Sequence, residues 1–222
     1  MNVISLDSFL VPVLLLNFVI LAVGRLHVVI HAVAAQGAIL AITYLLAHGD
    51  ISEGGAAVVS LRLVVLASVM FVVRGLLMPR MLSYAMNKAG IHWRIESYLG
   101  LTASLLIGAL GTALIAWSSH LLPLRPEDAS HLLVPSSLAT VFTGFLILMT
   151  RREALTQIIG YLVLENGIFI FGLLLVEAMP MMVELGILLD LFVGVFIMGI
   201  IVHHVSRQFP ETTTDHLTSL RE

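Results

Sequence analysis

The chain has no cysteine among its 222 residues. Disulfides, thiolate ligation of iron–sulfur centres and cysteine nucleophiles are thereby excluded. Charge is scarce too. Asp, Glu, Lys and Arg make up 11% of the chain, hydrophobic residues 59%, and the mean hydropathy is +1.05. Soluble domains carry roughly a quarter charged residues, so this is the composition of a membrane protein. Spanning helices of about 20 residues each would use most of the length, leaving no room for a nucleotide fold or a catalytic head. The net charge is −3 with no basic tail, which argues against nucleic acid as a partner. The opening MNVISLDSFLVPVLLL has an acid and no Lys or Arg before its apolar run. It reads as a retained first span rather than a cleaved signal.

What the chain does contain is seven apolar segments, near Ile4–Val23, Val28–Leu46, Ala56–Pro79, Tyr98–Ser118, Leu132–Met149, Leu155–Val176 and Met181–Val205. Hydrocarbon offers no water to a bare backbone, so an all-α, polytopic architecture is expected. Several segments are rich in Gly, Ala and Ser, which let helix backbones approach closely. The connecting segments set the orientation. With the N-terminus outside, eight basic residues fall on the inner side: Arg25, Arg80, Lys88, Arg94, Arg151, Arg152, Arg207 and Arg221. Only Arg125 falls outside, while Arg62 and Arg74 lie within a span. Lys and Arg accumulate in cytoplasmic loops, so the pattern predicts an external N-terminus and a cytoplasmic C-terminus. The organisation expected is four helices over residues 1–130, a three-helix unit over 131–205 and a cytoplasmic tail over 206–222. Between the third and fourth spans, residues 80–96 (RMLSYAMNKAGIHWRIE) read either as an interfacial helix facing lipid headgroups or as an ordinary basic loop.

Ionisable residues inside the membrane are costly and are functional candidates by default. Glu165, in GYLVLENGIFIFG, is the foremost. It lies about 18 Å from the cytoplasmic boundary at a rise of roughly 1.5 Å per residue. Steps of four back along the helix give Tyr161, Gln157 and Glu153, a spiralling polar ridge able to order water leading to the acid. The competing reading is polar glue between helices, with Asn166 and Glu165 bonding a neighbour. Asp190, in ELGILLDLFVGVFIMG, has Gly186 and Gly194 four residues to either side. That face suits tight backbone packing or a water beside the carboxylate.

Burial raises a carboxylic acid's pKa and a nearby cation lowers it, so a buried acid can be poised to relay protons. Arg74 and Arg62 are candidates to tune such a relay, with snorkelling to the interface as the alternative. His27 and His31, four apart, and His203 with His204 lie at inner span ends. They read as proton uptake points or as ordinary interfacial histidines, and no third metal ligand accompanies the first pair. Ser136, Ser137, Thr140 and Thr143 either line water or bond their own helix backbone.

The run TRREALTQIIGYLVLENGIFIFG, followed by VELGILLDLFVGVFIMGIIVHHV, resembles component E of hydrogenase-4 and formate hydrogenlyase-type complexes. The resemblance extends over essentially the whole chain, including FVVRGLLMPRML and the terminal HLTSLRE. Residues 150–205 are also similar to subunit K of respiratory complex I and to its counterpart in multi-subunit cation/proton antiporters. The resemblance implies a non-catalytic subunit of a bacterial or archaeal cytoplasmic membrane, beside antiporter-like subunits and a hydrogenase-like peripheral module. Nickel–iron and iron–sulfur centres would belong to partner subunits, with no cofactor in this chain. It implies proton or sodium movement coupled to redox chemistry, with Asp190 at the third-helix carboxylate position of subunit K. Leu162 stands at the second-helix acid position, and Glu165 comes one turn later. The family tends to place a lysine near Arg74. An antiporter subunit without redox partners and a structural scaffold are the alternatives.

Overall fold

In a computed structural model, the structure describes residues 3–49, 56–88, 98–119 and 132–173, with single positions 186, 192, 194, 196 and 199. Among the described residues, seven α-helices run α1 (Val3–Ala22), α2 (Leu26–Gly49), α3 (Ala56–Met70), α4 (Met78–Lys88), α5 (Leu101–Ser119), α6 (Leu133–Thr150) and α7 (Ala154–Gly172). A π-helical segment, Phe71–Leu77, joins α3 to α4 without a break. No strand occurs among the described residues. Among the described residues, five stretches are long and apolar enough to cross a membrane: Leu26–Ala47, Leu63–Asn87, Leu101–Ser119, Leu133–Thr150 and Leu155–Gly172. Asp7–Ala22 is a shorter apolar helix. These correspond to the first six segments read from the sequence. The seventh, Met181–Val205, lies outside the described residues except at the single positions.

The third helix departs from expectation. It does not end at Pro79 but continues to Lys88. The first half of the 80–96 segment is therefore the end of a long helix rather than a loop, and α4 is amphipathic, with Leu82, Ala85 and Met86 buried and Arg80, Tyr84 and Asn87 exposed. Residues 89–97 lie outside the described residues. Proline lacks an N–H, and its ring crowds the carbonyl four residues earlier. Just ahead of Pro79 the helix widens, and the Met78 N–H donates to the Val73 carbonyl five residues back. A π turn of this kind accommodates the proline and rotates the residues before it.

Helices α6 and α7 form an antiparallel pair joined by only Arg151–Glu153. Their contact is made by glycine. A Cβ on Gly144 would lie 2.5 Å from the Leu164 amide nitrogen, and one on Gly167 2.5 Å from that of Val141. Close backbone approach through small residues is how helices associate without a hydrophobic driving force. Helix α1 packs on α2, α5 and α6, and α2 also meets α3, the π segment, α4 and α7.

The buried apolar side chains divide into two clusters. One gathers Ile20, Val29, Val33, Leu82, Ile147 and Ile159, among others; the second gathers Leu10, Val13, Leu40, Met70, Leu133 and Phe169. On several helices, polar residues fall between the two clusters. Asn17 follows Val13 and precedes Ile20; Gln36 lies between Val33 and Leu40. Arg74 adjoins Val73, Thr140 falls between Leu133 and Leu146, and Glu165 with Asn166 between Val163 and Phe169. A polar layer thus crosses an otherwise apolar bundle.

Candidate functional site

At the centre of this layer, Arg74 Nη2 donates to Glu165 Oε1 at 3.0 Å, and Nη1 donates to Asn166 Oδ1 at 2.8 Å. The two charged side chains are 10% and 7% exposed. Adjacent residues on α7 therefore each accept from one arm of the guanidinium fork, a planar recognition that lysine cannot reproduce. The Phe169 ring, one turn beyond, faces the guanidinium carbon at 5.3 Å from its centroid. Breaking a buried ion pair by removing one partner costs about 3–5 kcal/mol, because the other charge is left without compensation.

The backbone sets this geometry. Arg74 occupies the middle of the π segment, where the widened turn redirects its side chain. Helix α2 makes room for it at Gly37, where a Cβ would lie 2.8 Å from the Arg74 Cβ and 3.3 Å from its carbonyl. Snorkelling, one of the two expectations for Arg74, is overturned: the side chain turns inward onto an anion. Arg62 lies in α3, and its side chain is outside the described residues.

A cavity of about 20 Å³ opens on Arg74, Glu165 and Asn166, with Gly37, Leu162 and Met78 among its walls. One water needs roughly 10–15 Å³ of such space together with two or more polar partners, and the pair supplies them. Leu162 and Glu165 line the same cavity, so moving the acid one helical turn does not change the space it faces. Gly194 is buried, and a Cβ there would meet the Met78 Cε at 2.5 Å, against the cavity wall. Asp190 and His203 lie outside the described residues.

The residues of the polar ridge below Glu165 differ in exposure. Tyr161 is half-buried, and Glu153 is the residue that precedes α7. Gln157 is exposed, and its amide turns back to donate to the Arg151 carbonyl at 3.2 Å. His27 and His31 are exposed on the first turns of α2, their rings 4.2 Å apart. His31 Nδ1 donates to the His27 carbonyl at 2.7 Å. No group of three metal-ligating side chains occurs among the described residues.

Sequence reasoning missed two members of the layer. Gln36 Nε2 donates to Asn17 Oδ1 at 2.8 Å and to the Val13 carbonyl at 3.2 Å. Asn17 Nδ2 donates to Thr140 Oγ1 at 2.8 Å, and Asn166 Nδ2 to Gln36 Oε1 at 3.5 Å. The signal was a lone amide in each of LLLNFVI and AVAAQGAI. Thr140 also donates to the Ser136 carbonyl at 2.7 Å, as expected for a helix hydroxyl. Arg151 is a second surprise. The sequence places it as an inner-loop cation, yet it is 2% exposed and reaches the Leu21 carbonyl at 3.5 Å. Burial pushes its guanidinium below the ordinary arginine pKa, with Glu153 opposing the shift.

Comparison with known proteins gives this arrangement a context. The protein described as uncharacterized protein Rv0085, of Mycobacterium tuberculosis (strain ATCC 25618 / H37Rv), is 31% identical over 199 residues, 89% of this chain and 87% of that one. Hydrogenase-4 component E of Escherichia coli (strain K12) is 26% identical over 151 residues, 68% of this chain and 70% of its own. The chain is thus a distant homologue of hydrogenase-4 component E. The Shigella flexneri component E matches to the same extent. No protein-family model and no solved structure matches the chain.

Proposed function

We propose that the chain is a non-catalytic, multi-pass subunit of a complex I-related, hydrogenase-4-like energy-converting complex. It contributes buried carboxylates to proton or sodium movement coupled to redox chemistry. In this reading it crosses the cytoplasmic membrane of a bacterium or archaeon seven times, N-terminus outside. It sits beside antiporter-like subunits and a hydrogenase-like module that holds any nickel–iron or iron–sulfur centre. Residues 131–205 act as the subunit K-like unit, with Asp190 as the second carboxylate.

One observation carries the proposal: a carboxylate and a guanidinium paired in a polar layer between two apolar clusters, open to a water-sized cavity. In this setting Glu165 exchanges a proton with water entering that cavity while Arg74 keeps its charge. Arginine holds its proton throughout, so its part is to set the energy of the ionised carboxylate. Where the family tends to place a lysine, this chain assigns the proton to the acid alone.

The test is Glu165→Gln, which preserves shape and hydrogen bonding and removes ionisation. Proton-coupled turnover in inside-out vesicles is expected to fall at least tenfold while the complex still assembles. Unchanged turnover at normal assembly would leave the pair a structural strut. Subunits that co-purify after mild solubilisation test the context: absence of any hydrogenase-like or iron–sulfur partner would remove the redox half of the proposal.

A further inference from the structure

The hydrogen bonds beyond the ion pair all run the same way. Arg74 has only donors, so the Asn166 oxygen must face it and the Asn166 amino group must face Gln36. Gln36 then presents its oxygen to Asn166 and its amino group to Asn17 Oδ1 and to the Val13 carbonyl, an obligatory acceptor. Asn17 in turn donates to Thr140, whose hydroxyl donates to the Ser136 carbonyl. A donor-only cation at one end and backbone carbonyls at the other fix every amide orientation along the row. The row crosses four helices and the π segment, and Asn17, Gln36, Thr140 and Asn166 are each no more than 3% exposed.

Amides aligned head to tail polarise one another, with every oxygen turned toward the cation. We propose that Asn166, Gln36 and Asn17 are positioning residues whose one-way row holds the Arg74 guanidinium in place, still charged, when Glu165 takes up a proton. The inference rests on the reading of Glu165 as a proton carrier. Protonating the acid takes from the guanidinium the anion it is paired with in an apolar setting. With the row in place, one arm of the fork stays on an amide oxygen whose own amino group is occupied. Beyond Arg74 the row contains no titratable group, so it offers a proton on Glu165 no path sideways into α1 and α6. Its longest link, Asn166 to Gln36 at 3.5 Å, is where the row is weakest.

Gln36→Leu tests this. Among the described residues, the charged or titratable side chains around Glu165 are Arg74 from the π segment and Tyr161 on its own helix; α2 and α6 present Gln36 and Thr140. Loss of Gln36 frees the Asn166 amide to swing and donate to the carboxylate, and takes the amide oxygen from Arg74. Both changes favour ionised Glu165. The pH profile of turnover per assembled complex is expected to move about one unit toward acid. Asn17→Leu, at the far end, should give a smaller shift in the same direction and guards against a folding defect at Gln36. Profiles superimposable on the parent in both variants, with Glu165→Gln inactive, would overturn the row and leave the proton-carrier reading intact. Full coupled turnover in Glu165→Gln would overturn both.

Discussion

Helices α5 and α7 have the same length, 19 residues, and similar apolar sequences with internal glycines. Their surroundings differ. Of the span in α7, 61% is buried within the protein, against 11% of α5. Helix α5 turns Leu106, Leu110, Leu114 and Trp117 outward and buries only Ser104 and Gly108. Helix α7 packs against α6 and α2 and meets the π segment through Arg74, and it alone of the two carries an acid. Hydrophobicity gives both helices their place in a membrane; enclosure decides which can hold a charge. A charge in an apolar setting needs partners close at hand, and the centre of the bundle supplies them.

The largest effect should come from turning the enclosed helix into one with an unpaired charge. Arg74→Met leaves Glu165 buried without its cation and is expected to cost about 3–5 kcal/mol. That would be read as a large loss of complex from the membrane, or as neutralisation of Glu165 with loss of coupled turnover. Next is the converse, a charge on the exposed helix. Leu110→Asp at mid-span of α5 should cost about 2.5–3.5 kcal/mol in membrane insertion, measured by glycosylation mapping, whereas Leu110→Val should insert normally. The smallest is Gly37→Ala. One methyl against the Arg74 backbone should cost about 1–3 kcal/mol of packing. It should lower coupled turnover more than it lowers assembly, since it displaces the π segment that aims the guanidinium.

The same contrast marks how far the sequence could be read. The positions of the first six apolar segments were legible because length and apolar composition determine them. Glu165 was legible because a mid-span acid is costly wherever it points. Arg74 was not, because its distance from the inner boundary fits either snorkelling or burial. The π segment before Pro79 settles its direction, and that widened turn has no period in the sequence. Asn17 and Gln36 went unread because a neutral amide in an apolar run is cheap enough to be incidental; only their spatial alignment with Asn166 makes them a row. Arg151 looked like a loop cation, yet the three-residue connection holds it against the end of α1.

The central claim is that Glu165 gains and loses a proton beside Arg74. Infrared difference spectroscopy of the assembled complex, switched between resting and turning-over states, tests it most directly. A carboxylic C=O stretch that shifts in deuterated buffer and vanishes in Glu165→Gln is the predicted result. An identical carboxylic region in the parent and the variant would contradict it.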